Sequence, residues 1–187
     1  MKRTRRIVII SHCLLNVNAK VEPLAKEMGG SSIICKLVEL GYGIIQLPCI
    51  EMAMFGSKRW GLVYEQCNFP AFREQCQRLL HPIVQQLKDY KEHGYSIEMV
   101  IGLDGSPTCG INFVSKGNWF GELNSENNYQ AKIDTLHIAK GKGVMMEVLE
   151  NMLKENGIST LFYGIDEREP MYEELIQILN QKQENNL

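Results

Sequence analysis

Three cysteines stand just after three short aliphatic runs, a position in which thiols can bind metal or carry out redox chemistry. They are Cys13 after Arg6–Ile10, Cys49 after Ile44–Leu47 and Cys109 after Met99–Leu103. Short apolar runs that break into polar turns are typical of buried strands entering loops. Because the carboxyl ends of parallel strands meet at one crevice of an open α/β sheet, we expect the three thiols to converge there. Thiolates are soft ligands that suit iron–sulfur clusters and zinc. The pattern therefore predicts one metal or redox site.

Buried structural thiols are the alternative interpretation, because cysteine is among the most buried residue types. Cys35 and Cys76 suit that role, since both fall on apolar faces of helical patterns, and we predict them in the core. Cys67 lies in a stretch without a clear pattern, where it is either a fourth ligand or a residue without a role in the site.

The elements that must position these thiols alternate between strands and helices along the chain. The predicted strands are Arg6–Ile10, Ile44–Leu47, Met99–Leu103 and Ser159–Gly164. The predicted helices have their apolar positions within 33–40, 70–90, 144–153 and 171–179. We expect Pro82 to kink the second helix. Residues 51–70 and 111–130 show no periodic pattern and are predicted to be irregular loops that cover the crevice. This alternation indicates a three-layer α/β/α fold with a mainly parallel sheet of four or five strands, Rossmann-like or flavodoxin-like.

Composition narrows the class of protein. The 187 residues suffice for a single domain over 1–187, with a polar tail from about 180, and 44% of them are hydrophobic. The net charge of −2 gives no reason to expect nucleic acid or an anionic membrane as partner. The apolar run after the basic start is too short for a signal peptide, which predicts a cytoplasmic protein with reduced cysteines.

The three cysteine segments resemble those of the 2-thiouracil desulfidase (TudS-type) family. That family carries S-x-C-L-L near its start, C-P-E after its second strand and S-P-S-C-G after its third. The corresponding segments here are Ser11–Leu15 (SHCLL), Cys49–Glu51 (CIE) and Ser106–Gly110 (SPTCG), and Gly56–Arg59 resembles the family's G-L-P-x-P-R. The resemblance covers most of the chain in the same order. Ile50 replaces the proline, and residues 16–20 lack the family's second cysteine and tyrosine–glycine pattern, which suggests a divergent member.

The resemblance implies a 4Fe–4S cluster held by Cys13, Cys49 and Cys109, with one iron left open to the substrate. It further implies that sulfur is removed hydrolytically from a thiolated small molecule of the thiouracil type, giving an oxo product and sulfide.

Five further residues are candidates for roles beside the cysteines. Glu51 is predicted to be a general base or proton shuttle, or else a surface carboxylate. Ser106 is predicted either to hydrogen-bond the substrate or a cluster sulfide, or to cap its turn. Asp104 is predicted either to bind the substrate or to cap the same turn. His12 is a candidate proton donor and substrate contact. Arg59 is a candidate for holding an anionic substrate, although an exposed loop charge needs no such role.

Two other functions use the same crevice. The first is a hydrolase or transferase with Cys109 as nucleophile and His12 or His137 as base. The second is a binding module for a metal or nucleotide without chemistry, although no G-x-G-x-x-G pattern follows the first strand. Gly141–Gly143, at a predicted helix start, is either an anion site or a plain tight turn.

Overall fold

The computed structural model of the protein describes residues 4–22, 24, 31–122, 128–168 and 172–184. The strands are β1 (Arg6–Ile10), β2 (Gly43–Gln46), β3 (Ser96–Leu103), β4 (Phe113–Lys116), β5 (His137–Lys140) and β6 (Leu161–Ile165). The helices are α1 (His12–Leu15), α2 (Ser31–Glu39), α3 (Ile50–Phe55), α4 (Tyr64–Cys67), α5 (Pro70–Glu92), α6 (Tyr129–Ile133), α7 (Val144–Glu155) and α8 (Tyr172–Glu184), with a short 3-10 helix at Val17–Ala19.

Four parallel strands form the main sheet in the order β2-β1-β3-β6. One row of paired residues crosses all four strands: Ile45, Ile9, Val100 and Phe162. The chain passes from β1 to β2 on one side and then crosses to β3 on the other side of β1. A ligand crevice is expected where the strand order reverses in this way, at the carboxyl ends of β1 and β3.

Helices cover both faces of this sheet. The side chains of β1 alternate between the faces: Ile7 and Ile9 pack with α5 and α7, and Val8 and Ile10 pack with α2 and α8. Because both faces of β1 are buried, its sequence is continuously β-branched rather than alternating. The predicted three-layer α/β/α fold with a parallel four-stranded sheet is confirmed.

The two stretches that we predicted to be irregular contain regular structure, so this prediction is wrong. Residues 51–70 include most of α3 and all of α4, which are too short to show a helical period in sequence. Residues 111–130 include β4, which pairs antiparallel with β5 in a second, two-stranded sheet. Val114 is the only residue of this pair of strands that is fully buried, so no alternating pattern marks it.

Two smaller predictions also need correction. Cys35 is exposed on α2, because Ile33 and Leu37 take the side of that helix that faces the sheet. Cys76, by contrast, is buried as predicted. Helix α8 continues to Glu184, so most of the predicted polar tail is helical, while residues 185–187 and Met171 lie outside the described residues. Pro82 lies inside helix α5, and the kink expected there stays a prediction.

None of the helices in the described ranges is long and apolar enough to cross a membrane.

Candidate functional site

The three cysteines lie at the carboxyl edge of three neighbouring strands. Cys13 is in α1 directly after β1, Cys49 is the N-terminal cap of α3 after β2, and Cys109 is in the loop after β3. Their side chains act on one another electrostatically: Cys49 raises the pKa of Cys13, and both raise the pKa of Cys109. The structure thus brings together the three thiols that the sequence singled out.

Burial controls the protonation of these thiols. It raises the pKa of Cys13 to about 12 and that of Cys109 well above its usual range. One donor acts in the opposite direction, because the backbone N–H of Met52 donates to Cys49 Sγ at 3.4 Å and lowers the pKa of that thiol. Since a metal binds the thiolate, loading of this site would release protons.

The donor set shows what kind of group these thiols suit. Among the described residues, no three His, Cys, Asp or Glu side chains are grouped so that they could hold one metal ion. In a 4Fe–4S cluster each thiolate binds a different iron, so the ligands surround a larger body than a single ion. Thiolates are soft ligands, so by ligand type the three cysteines suit an iron–sulfur cluster or zinc.

Glu51 lies among the thiols and is buried in the first turn of α3. Its Oε1 accepts a hydrogen bond from Thr108 Oγ1 at 2.7 Å, and its Oε2 accepts one from Arg59 Nε at 3.2 Å. The carboxylate also raises the pKa of all three site thiols. Glu51 is therefore a site residue rather than a surface carboxylate. Our sequence analysis did not single out Thr108, although it stands inside the SPTCG segment.

Arg59 has a different environment from the exposed loop position that we expected. Its side chain is only 4% exposed. Besides Glu51, the guanidinium donates to the carbonyl of Ala19 at 2.7 Å and to the carbonyl of Gly56 at 3.2 Å. All three of its nitrogens are engaged within the protein, so we assign Arg59 to positioning Glu51 rather than to holding an anionic substrate.

Ser106 and Asp104 hold the loop that carries Cys109. Ser106 Oγ accepts from the backbone N–H of Cys109 at 3.0 Å and from that of Thr108 at 3.3 Å. Asp104 Oδ1 accepts from the backbone N–H groups of Ile111 and Asn112, both at 2.8 Å. Of the two roles considered for each residue, the structure supports turn capping, because the oxygens already accept from backbone amides.

The two histidines proposed as bases make contacts elsewhere. His12 Nε2 lies 3.4 Å from Asn16 Nδ2, and His137 Nδ1 lies 2.8 Å from the carbonyl of Thr135. His12 also lines an open cleft of about 360 Å³ between the end of β2 and α5. No hydrogen bond in the described part of the chain joins either ring to Cys109, so the nucleophile–base pair required by the hydrolase alternative is not formed there.

The N-terminus of α7 supports the cysteine loop. The backbone N–H of Val144 donates to the carbonyl of Pro107 at 3.0 Å, and that of Met145 donates to the carbonyl of Thr108 at 3.1 Å. Lys142 is paired with Glu150 at 2.7 Å. Because loop carbonyls take these helix amides, Gly141–Gly143 is a tight turn that packs against the site and not an anion site.

Gly143 permits this packing, and we predict that alanine there damages the site. A Cβ at Gly143 would lie 2.4 Å from the carbonyl carbon of Thr108 and 2.7 Å from the backbone nitrogen of Cys109. Since φ is −68°, the cost is steric rather than conformational. We expect Gly143→Ala to lower the free energy of unfolding by about 1–3 kcal/mol and to reduce iron loading, as measured by denaturant unfolding and iron analysis.

Gly61→Ala is the matched control, because a Cβ at Gly61 meets nothing within 4 Å. Equal stability and equal iron loading in the two variants would contradict the proposed support of Cys109 by α7.

Lys20 is a second residue that sequence analysis missed. Its side chain is 6% exposed and its ammonium donates to the carboxylate of Glu167, beyond the end of β6. Lys20 lowers the pKa of Cys13, and Glu167 raises it. The pair therefore lies close enough to Cys13 to act on the charge of its thiol. An ion pair between residues so far apart in the chain leaves no local signal in the sequence.

Cys67 lies in the core on the face covered by α5 and α7. Burial raises its pKa, with smaller contributions from Glu51 and Cys76. Its position is that of a core residue next to the site.

Comparison with known proteins gives one informative relative. No family model matches the chain, and no solved structure matches it. The uncharacterized protein MJ0003 of Methanocaldococcus jannaschii is 34% identical over 155 residues, which is 80% of this chain and 98% of the archaeal protein. The alignment spans nearly the whole length of that relative and most of this chain. The chain therefore belongs to the family of MJ0003.

Proposed function

We propose that the protein is an iron–sulfur-dependent desulfidase that removes sulfur from a thiolated small molecule of the thiouracil type. The observation that carries the proposal is the position of Cys13, Cys49 and Cys109 after three neighbouring parallel strands, where the buried carboxylate of Glu51 acts electrostatically on all three. The resemblance of the three cysteine segments to the 2-thiouracil desulfidase family supports it. The three cysteines would hold a 4Fe–4S cluster, which when bound supplies an iron with an open coordination position for the substrate's sulfur.

The reaction balances without an oxidant or reductant. A thiocarbonyl compound and one water give the carbonyl compound and hydrogen sulfide. The carbon–oxygen bond forms, the carbon–sulfur bond breaks, and both protons of the water end on sulfur or in solvent. Such a reaction requires a base near the carbon that loses sulfur.

Glu51 is the base in this proposal. One carboxylate oxygen accepts from the Thr108 hydroxyl and the other from the Arg59 guanidinium, which fixes the orientation of the carboxylate. Glu51 would take the proton of the attacking water and pass it to the departing sulfur. Thr108 and Arg59 act through Glu51 and are positioning residues.

A cytoplasmic location suits this chemistry. All six cysteines are free in the structure. Free thiols in this number are typical of a reducing compartment. The small net charge of −2 favours a small-molecule substrate over nucleic acid.

Sulfide release by the reconstituted protein tests the proposal. The protein is purified anaerobically, reconstituted with iron and sulfide, desalted, and incubated with thiolated pyrimidines, thiolated nucleosides and thioamides. We expect at least one thiolated pyrimidine to yield sulfide and the oxo compound in equal amounts, while protein without iron yields neither. Full iron content without sulfide release, and without a spectral change on adding these compounds, would refute desulfidase activity.

A further inference from the structure

Ser11 carries a buried hydroxyl that has no hydrogen-bond partner among the described residues. The residue follows β1 and is the N-terminal cap of α1, yet its side chain makes no capping hydrogen bond. Its backbone groups are all engaged: the N–H donates to the carbonyl of Ile101, and the carbonyl accepts from Leu14. The hydroxyl is therefore the unsatisfied part of the residue.

An unpaired hydroxyl at a fully buried position is unfavourable, and native proteins rarely keep one without a reason. Cys13 follows Ser11 by two residues in the chain. A buried polar group without a protein partner, this close to a proposed ligand, suggests that its partner is the group bound at the site.

The position of Ser11 agrees with this location. Its backbone N–H donates to the carbonyl of Ile101 at 2.9 Å, so Ser11 lies against the carboxyl-terminal part of β3. The loop that follows β3 carries Cys109.

We propose that the Ser11 hydroxyl donates a hydrogen bond to a sulfur of the cluster held by Cys13, Cys49 and Cys109. This inference rests on the proposed function, because it presupposes the cluster. Hydrogen bonds to cluster sulfurs raise the reduction potential and help retain the metal. Ser11 would then be a positioning residue that tunes the site without taking part in the reaction.

Thr160 offers a matched control. Its Oγ1 is also buried and has no partner among the described residues, but it stands just before β6, at the amino end of the strands and opposite the site. Thr160→Val removes that hydroxyl while keeping the volume of the side chain. Ser11→Ala likewise removes a buried hydroxyl, but next to the site.

The experiment compares wild type, Ser11→Ala and Thr160→Val, each without iron and after reconstitution. Without iron, we expect both variants to unfold at the wild-type temperature or above, since each loses an unsatisfied hydroxyl. After reconstitution, we expect only Ser11→Ala to show a lower reduction potential and to lose iron to a chelator about tenfold faster.

The possible outcomes separate this inference from the proposed function. A wild-type protein that binds no iron after reconstitution refutes the proposed function and this inference with it. A wild-type cluster whose potential and chelator half-life are unchanged in Ser11→Ala refutes the role of Ser11 alone. Equal shifts in Ser11→Ala and Thr160→Val also refute it, because they show a general effect of a lost buried hydroxyl.

Discussion

Alanine at Cys13, Cys49 or Cys109 is expected to abolish the brown colour and iron content of the anaerobically purified protein. We expect wild type to contain about four iron and four sulfide per chain. With one of the three proposed protein ligands missing, only two cysteines are left to hold the cluster. Visible absorption and iron and sulfide analysis of each variant measure the effect.

Two control variants separate loss of a ligand from loss of folding. Cys35→Ala removes an exposed thiol on α2 and is expected to change neither colour nor stability. Cys76→Ala removes a fully buried thiol of α5 and is expected to lower the free energy of unfolding by about 1 kcal/mol while keeping the colour. Equal loss of colour in Cys76→Ala and Cys13→Ala would mean that the thiols support folding rather than bind iron.

Cys67→Ala extends the series, because Cys67 is buried next to Glu51 and Cys76. As a core residue it should behave like Cys76, with full iron content. Loss of colour in Cys67→Ala would make it a fourth ligand and would remove the open iron on which the proposed reaction depends.

The sequence predicts the main sheet well for a physical reason. Strands buried on both faces are continuously aliphatic, as in Arg6–Ile10 and Met99–Leu103, and such runs are visible without a partner strand. The order of the strands could not be predicted, because it depends on pairings such as Ile9 with Val100, which join residues far apart in the chain. Strands β4 and β5 were missed because each is only four residues long and Val114 is the only residue of the pair that is buried.

The position of the three thiols could also be predicted from the pattern of strands in the sequence. The thiols could be recognised because each follows a strand, and strand ends converge in any parallel sheet. Turn capping by Asp104 and Ser106 was predicted only as one of two alternatives, and the pairing of Arg59 with Glu51 was not predicted. Each depends on the backbone amides or carbonyls that reach its side chain after folding, and the sequence does not show these.

Glu51→Gln is expected to leave the cluster intact and to reduce sulfide release by about 10²–10⁴-fold. Glutamine has nearly the same volume, and its amide oxygen still accepts from Arg59 or Thr108. The amide cannot take a proton from water, so the variant loses the base and keeps the three thiols. The visible spectrum and iron content of the reconstituted variant, followed by steady-state sulfide release, measure these two effects separately.

Glu150→Gln is the matched control for that variant. Glu150 is a partly buried carboxylate of α7 that accepts from Lys142 at 2.7 Å, and Lys142 together with Lys154 holds its pKa below the usual range. The substitution makes the same chemical change outside the site, so we expect wild-type turnover and wild-type iron content. Turnover in Glu51→Gln within a few-fold of wild type would show that Glu51 is not the base. Loss of iron in Glu51→Gln but not in Glu150→Gln would instead make Glu51 a structural support of the thiols, because the carboxylate would then be needed for binding the cluster.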